Sequence, residues 1–283
     1  MAGDRDSYPA APEPLPGEVA DSHCHLDIAF GEAPAPAVSD ALVRAAEVGV
    51  TAIVQVGCDV PSSQWAAAVA AENERVWAAV AVHPNEAPQI YLEAGRAALE
   101  SAWGDIADLA AQPAVRAVGE TGMDFFRTPP ELRAVQEESF RAHIEIAKRT
   151  GTALVVHDRE AHDDVLRILD DAGAPDTVVM HCFSGDELFA REVSERGFYC
   201  SFAGNVTFKN AEMLRVALRV VPAELVLVET DAPFLTPVPN RGRPNASYQL
   251  PSTVRMVAQV RDWDLGAACE TLMGNTERAF GPL

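Results

Sequence analysis

Short runs rich in Val and Ala recur along the chain, most ending in polar residues and followed by a segment of helical period. The strand-like runs are 18–26 (EVADSHCHL), 50–57 (VTAIVQVG), 75–83 (RVWAAVAVH) and 115–121 (VRAVGET). The set continues with 152–158 (TALVVHD), 176–183 (DTVVMHCF), 197–202 (GFYCSF) and 224–231 (ELVLVETD). Between them, VSDALVRAAEVG, PSSQWAAAVAAENE, PELRAVQEESFRAHIEIAKRTG, DDVLRILDDAG and AEMLRVALRVV place apolar residues at helical spacing. Several open on Ser, Asp or Pro and close near Gly, the residues that start and stop helices. Strand–helix alternation through eight strands predicts an α/β protein whose parallel sheet is covered by helices. At this length it predicts a closed (β/α)8 barrel of TIM type. An open doubly wound sheet is the alternative, but no GxGxxG turn follows the first run. The opening 1–17 (MAGDRDSYPAAPEPLPG) is Pro/Ala-rich with no apolar face and reads as a disordered tail. That leaves 18–283 as a single barrel domain.

Ligand-type residues cluster at the ends of these runs. His23 and His25 close the first, His83 the third, Glu120 the fourth, His157 the fifth, His181 the sixth and Asp231 the eighth. The C-terminal strand ends of a (β/α)8 barrel converge on one mouth, so topology would gather residues scattered through the sequence. His23 and His25 are two apart, which on a strand gives Cα atoms roughly 6.5 Å apart and both rings on one face. Alone, an HxH is as easily a pair of partly exposed polar residues. Six such groups at neighbouring strand ends would each cost several kcal/mol if buried without partners. A metal centre removes that cost by using their lone pairs. The count suits two divalent cations, one on His23, His25 and Asp231, the other on His157 and His181, with Glu120 bridging. Imidazole-rich donors favour zinc or manganese over magnesium. Asp231 and Glu120 are then the catalytic carboxylates, Asp231 accepting the proton of an activated water.

Composition narrows the function. Lys and Arg number 22 against 42 Asp and Glu, a net charge of −20, which argues against broad nucleic-acid binding but not against a local cation-lined cleft. Five scattered cysteines without a CxxC pair fit reduced thiols rather than disulfides or a thiolate zinc site. No basic segment precedes an apolar run at the start, and no uncharged stretch approaches the roughly 18 residues needed to span a bilayer. A cytoplasmic protein without membrane attachment or stable protein partner is expected.

The motifs VADSHCHLD, AVHPNEA, VGETGMDFFR, VVHDREAHDDVL, MHCFSG and LVETDAPFLTP together resemble the TatD-type metal-dependent deoxyribonucleases, from about residue 19 to the NTERAFG near the end. The resemblance implies metal ligands at His23, His25, Glu120, His157, His181 and Asp231, the set that topology also selects. It further implies a metallohydrolase barrel that cleaves phosphodiesters from 3′ ends of DNA. A carboxylate in the fourth-strand motif separates this pattern from amidohydrolase relatives that use a modified lysine there. Asn85 stands where many members carry a second histidine.

Four further residues are candidate substrate contacts: His83 at its strand end, Arg159 beyond His157, and Arg241 and Arg243 in the Pro/Gly loop after the eighth strand. Asp21 is placed by alternation behind His23 and His25, as an acceptor for a ligand N–H. The same alternation turns Ser22, Cys24 and Cys182 away from the mouth. Asp124 is expected to order the loop after strand four. A small-molecule amide or ester hydrolase, or one acting on an aminoacyl ester of RNA, is the alternative enzyme. A non-catalytic metal-binding scaffold is the third reading.

Overall fold

The computed structural model describes residues 7–282. Eight parallel strands follow one another in sequence order: β1 (Val19–Cys24), β2 (Val50–Val56), β3 (Val76–Val80), β4 (Val115–Asp124), β5 (Ala153–Arg159), β6 (Val178–Met180), β7 (Tyr199–Phe202) and β8 (Val226–Val228). Backbone bonds draw the β8–β1 seam together at the top, from Asp231 N–H to His23 O at 2.9 Å and His25 N–H to Ala232 O at 2.7 Å. Around this barrel run α1 (Val38–Ala46), α2 (Val60–Glu72), α3 (Glu86–Ala110), α4 (Arg133–Thr150), α5 (His162–Ala172), α6 (Glu187–Glu195), α7 (Glu212–Val220), α8 (Leu250–Arg261) and α9 (Leu265–Phe280). The expected (β/α)8 architecture is present.

Helix starts obey local chemistry. Asp59 caps α2 by accepting from Ser62 N–H at 2.8 Å while Ser62 Oγ accepts from Asp59 N–H at 3.0 Å. Gly151 ends α4 in the left-handed region, φ +68. The strands pack two ways. Residues such as Ile53, Val80, Leu154 and Val178 meet the helices, while Ala20, Val54, Trp77, Val155, Val179 and Leu227 fill the barrel. Phe280, ending α9, stacks on Trp77 with ring centroids 6.3 Å apart and closes the bottom.

Alternation fails where the site begins. Ala20 and Ser22 face the barrel interior, Ser22 Oγ lying 2.9 Å from Ser201 Oγ. Asp21 points outward and accepts from Thr230 N–H at 2.8 Å and Thr230 Oγ1 at 2.6 Å. A register shift between Asp21 and Cys24 then turns His23 back into the mouth. Ser22 therefore does not face the helices, and Asp21 does not back the histidine rings; it clamps β1 to the segment after β8. A second shift, between Val118 and Thr121 of β4, does the same for Glu120.

Residues 7–17, expected as a disordered tail, are fastened along the barrel flank; residues 1–6 lie outside the described residues. Tyr248 Oη donates to Pro9 O at 2.6 Å, Gln249 Nε2 to Ala10 O at 2.8 Å and Arg255 Nη2 to Pro14 O at 3.0 Å. Leu15 N–H donates to Val48 O at 3.0 Å and its side chain is buried. Carbonyls of a Pro-rich segment need no periodicity to be held, so no apolar pattern betrays this contact.

Candidate metal centre at the barrel mouth

Glu120 stands at the middle of the mouth, buried, with imidazoles on both its oxygens. Oε2 lies 3.4 Å from His23 Nε2. Oε1 lies 2.5 Å from His157 Nδ1, 3.0 Å from His181 Nε2 and 3.3 Å from His83 Nε2. Asp231 Oδ1 is 3.8 Å from His25 Nε2 and 4.0 Å from His23 Nε2. His23 and His25 turn their Nε2 atoms toward each other at 3.3 Å, and His23 stacks on His181 with centroids 3.8 Å apart. The six residues expected as ligands are thus brought to one place, and Glu120 faces a different set with each oxygen.

The outer hydrogen bonds fix which nitrogen is free. His25 Nδ1 donates to Val56 O at 2.9 Å and His181 Nδ1 to Glu229 Oε1 at 3.0 Å, which turns both Nε2 atoms inward. His83 Nδ1 instead accepts from Asn85 N–H at 3.0 Å, so its Nε2 carries the proton toward Glu120. His83 is thereby a donor at the mouth rather than a lone-pair ligand. Among the described residues, His23 Nδ1 and Glu229 Oε2 are buried without a hydrogen-bond partner. Unpartnered buried lone pairs, closely opposed imidazoles and a carboxylate reaching both sets are what divalent cations would satisfy, and the residues fit them. Among the described residues, the groupings His23–His25–Glu120 and His23–His181–Glu229 each bring three such donor atoms within 4.8 Å of one another.

Electrostatics follow the crowding. Burial alone would raise the Glu120 carboxyl, but His181, His83 and His157 pull it well below the carboxylate range. Burial, with Glu229 and Glu120 adding repulsion, lifts Asp231 to about 8 against the pull of His181. Burial, then His181, lowers His23 to about 4. Asp124 is held low despite desolvation by bonds from His157, Asn85 and Arg127.

Asp124 accepts from Arg127 N–H at 2.9 Å and from Asn85 Nδ2 at 2.9 Å, and meets His157 Nε2 at 3.3 Å. It orders the loop after β4, as expected, and also braces His157. Buried Gln136 ties the same loop down, donating to Pro84 O at 2.8 Å and Thr128 Oγ1 at 2.7 Å. Arg159 lines the mouth and lies over the exposed Phe126, 3.9 Å from its centroid. Arg241 stacks on Phe208 at 4.2 Å, outside the residues that line the mouth. Arg243 turns away altogether, donating to Ser7 O at 3.1 Å and Ser7 Oγ at 2.9 Å. Its guanidinium serves the N-terminal segment, a contact between backbone and side chain that no periodicity signals.

Sequence reasoning missed several site residues. Glu229 has the strand parity of Asp231, and that was its only signal. Arg127, Cys58, Cys182 and Phe234 also line the mouth. Cys182, with φ +44, is turned toward the mouth rather than away. Asp27 accepts from Gln55 Nε2 at 3.0 Å, while Gln55 Oε1 accepts from Leu26 N–H at 2.6 Å. The pair holds the chain just past the HxH.

Fold and site together define a metal-dependent hydrolase built on a (β/α)8 barrel. The sequence profile of the TatD related DNases matches residues 20–281, and the chain belongs to that family. It is 44% identical over 268 residues to an uncharacterized metal-dependent hydrolase TatD of Mycobacterium tuberculosis, covering 93% of this chain and 98% of that one. It is 34% identical over 256 residues to the 3′-5′ ssDNA/RNA exonuclease TatD of Escherichia fergusonii, covering 86% and 92%. Among solved structures, YJJV, a TatD homologue of Escherichia coli K12, superposes with a TM-score of 0.83 at 26% identity, over 94% of this chain and 98% of that one.

Proposed function

We propose that this chain hydrolyses phosphodiester bonds of DNA, removing nucleotides from single-stranded 3′ ends with two divalent cations at the mouth. The observation that carries the reading is Glu120, whose two oxygens face separate imidazole sets. The exonuclease named among the relatives supports the choice of substrate.

His23, His25 and Asp231 would hold one cation, His157 and His181 the other, with Glu120 between them. Bound there, such cations supply an acidified water and neutralise charge on phosphoryl oxygens. Asp231 would receive the proton of the attacking water; burial favours its protonated form, and cations held beside it would supply the opposing charge that keeps it ionised for that step. His83, with Nε2–H directed inward, offers a donor to a phosphoryl oxygen. Arg159 and Arg127 line the mouth and counter the charge of the strand, which a chain of net −20 otherwise repels. Phe126, 59% exposed, and Phe234, 41% exposed, offer flat surfaces for unpaired bases.

The net charge also favours a small uncharged ester or amide as substrate, so the test runs both. Glu120→Gln and Asp231→Asn are assayed with metal on single-stranded oligonucleotides and on dipeptide and aminoacyl esters. The expected result is DNA cleavage by wild type and its loss by roughly 10²–10⁴-fold in Asp231→Asn and at least as much in Glu120→Gln, with cooperative unfolding kept. Ester turnover without DNA cleavage, or wild-type cleavage by either variant, overturns the assignment.

A further inference from the structure

A cavity of about 630 Å³ opens at the opposite, N-terminal end of the barrel, lined by the end of α3, the start of β4, the α4–β5 turn and the end of α9. Arg116, Arg149 and Arg278 line it together with the hydroxyl residues Thr150, Thr152 and Thr177, and no Asp or Glu lines it. In a chain with 42 acidic and 22 basic residues, such a wall is against the composition. Arginines elsewhere on the surface, such as Arg96, Arg141, Arg167, Arg191 and Arg196, pair with carboxylates. Among the described residues these three do not. Among the described residues Arg278 bonds Asn275 Oδ1 alone, and Arg116 Nε is buried without a hydrogen-bond partner.

Helix ends explain part of this. Arg149 and Arg278 stand in the last turns of α4 and α9, where a cation complements the carbonyl end. Each helix end is worth about half a negative charge, so the ends of α3, α4 and α9 offset roughly half of three guanidiniums. Arg116 is on a strand and answers no helix end. Gly281, at φ +91, lies so close that a Cβ there would come within 3.2 Å of Arg116 Nη1, so the Gly281 backbone crowds that guanidinium. Thr150 Oγ1 donates to Ile146 O at 2.9 Å and is bonded to Thr152 Oγ1, so the donors that face an oxyanion are the guanidiniums, with the Thr177 hydroxyl beside them.

We infer that this cavity binds a small phosphorylated anion, of nucleotide size, at a site separate from the metal centre. A concave site of this volume suits a compact ligand rather than a nucleic-acid strand, which the overall charge disfavours. Phosphate is the chemistry that forked guanidiniums and hydroxyls recognise.

The test is calorimetric titration of the full chain with pyrophosphate, repeated with adenosine diphosphate and with a short oligothymidylate. Phosphates are also drawn to the metal centre, so Glu120→Gln is titrated beside Arg116→Gln and Arg149→Gln. The expected result is binding of pyrophosphate and the nucleotide that survives in Glu120→Gln and weakens at least tenfold in each arginine variant. Arg149 is exposed, so its variant should unfold like wild type and separates lost binding from lost fold. Binding abolished in Glu120→Gln, unchanged in both arginine variants, or seen only with the oligonucleotide would overturn the inference.

Discussion

At the scale of single residues, the outer partners of the imidazoles decide how the centre is used. Glu229 holds the His181 Nδ1–H at 3.0 Å and also accepts from Cys182 N–H at 3.0 Å, so one buried carboxylate sets both the tautomer and the turn after β6. Glu229→Gln keeps the shape and removes the charge. Chelator competition should show divalent-metal affinity reduced by roughly 10–100-fold; unchanged affinity would mean that His181 is oriented by packing alone. His143 shows the same logic without a metal. Its Nδ1 donates to Ser139 O at 2.7 Å and its Nε2 accepts from Val82 N–H at 3.0 Å, joining α4 to the end of β3 in neutral form. Burial lowers it to about 4, against a weaker upward pull from Ser139 O. Folding therefore excludes a proton that the unfolded imidazole takes up near pH 6.5. Its contribution is complete above that pH and falls as pH drops toward 4. Urea unfolding should find the advantage of wild type over His143→Gln shrinking by about 2 kcal/mol between about pH 7.5 and pH 5. A constant gap would contradict a neutral His143. Its sequence context, a histidine amid an apolar helical face, gave no hint of this task.

At the scale of elements, the two register shifts explain what the sequence showed and what it hid. The strand ends were legible because polar residues stop the apolar runs, and the barrel then assembles them whatever the local detail. Side-chain direction was not legible, because a period of two holds only while the ladder is regular. At Asp21–Cys24 and at Val118–Thr121 it is not, so Ser22 and Asp21 exchange the faces that alternation assigns. Gly122 is the element-scale test. At φ +140 it brings β4 against β5 so closely that a Cβ would lie 2.1 Å from His157 O. Gly122→Ala must push His157 away from Glu120 and Asp124. It should cost roughly 2 kcal/mol or more of stability and a larger share of metal-dependent activity than of fold. Equal stability and activity in thermal unfolding and turnover assays would show that the approach is dispensable.

At the scale of the whole molecule, the chain is strongly acidic, with arginines lining both the mouth and the barrel bottom, and its long-range charge does not recruit a polyanion. On the proposed function, substrate capture falls to the mouth, which Arg159 and Arg127 line and beside which Arg159 lies over Phe126. The N-terminal segment adds a strap from Ser7 to Leu15 that takes Arg243 out of the mouth. Composition could not reveal that strap, because it is held by backbone carbonyls. Among the described residues no helix is long and apolar enough to cross a membrane. The most direct measurement is a time course on a single-stranded oligonucleotide labelled at its 5′ end, with divalent metal and then with chelator added. Stepwise shortening to a ladder one nucleotide apart, stopped by chelator, is predicted. An oligonucleotide that stays intact with metal present, or that is cut at internal positions without a ladder, would contradict a metal-dependent 3′→5′ exonuclease.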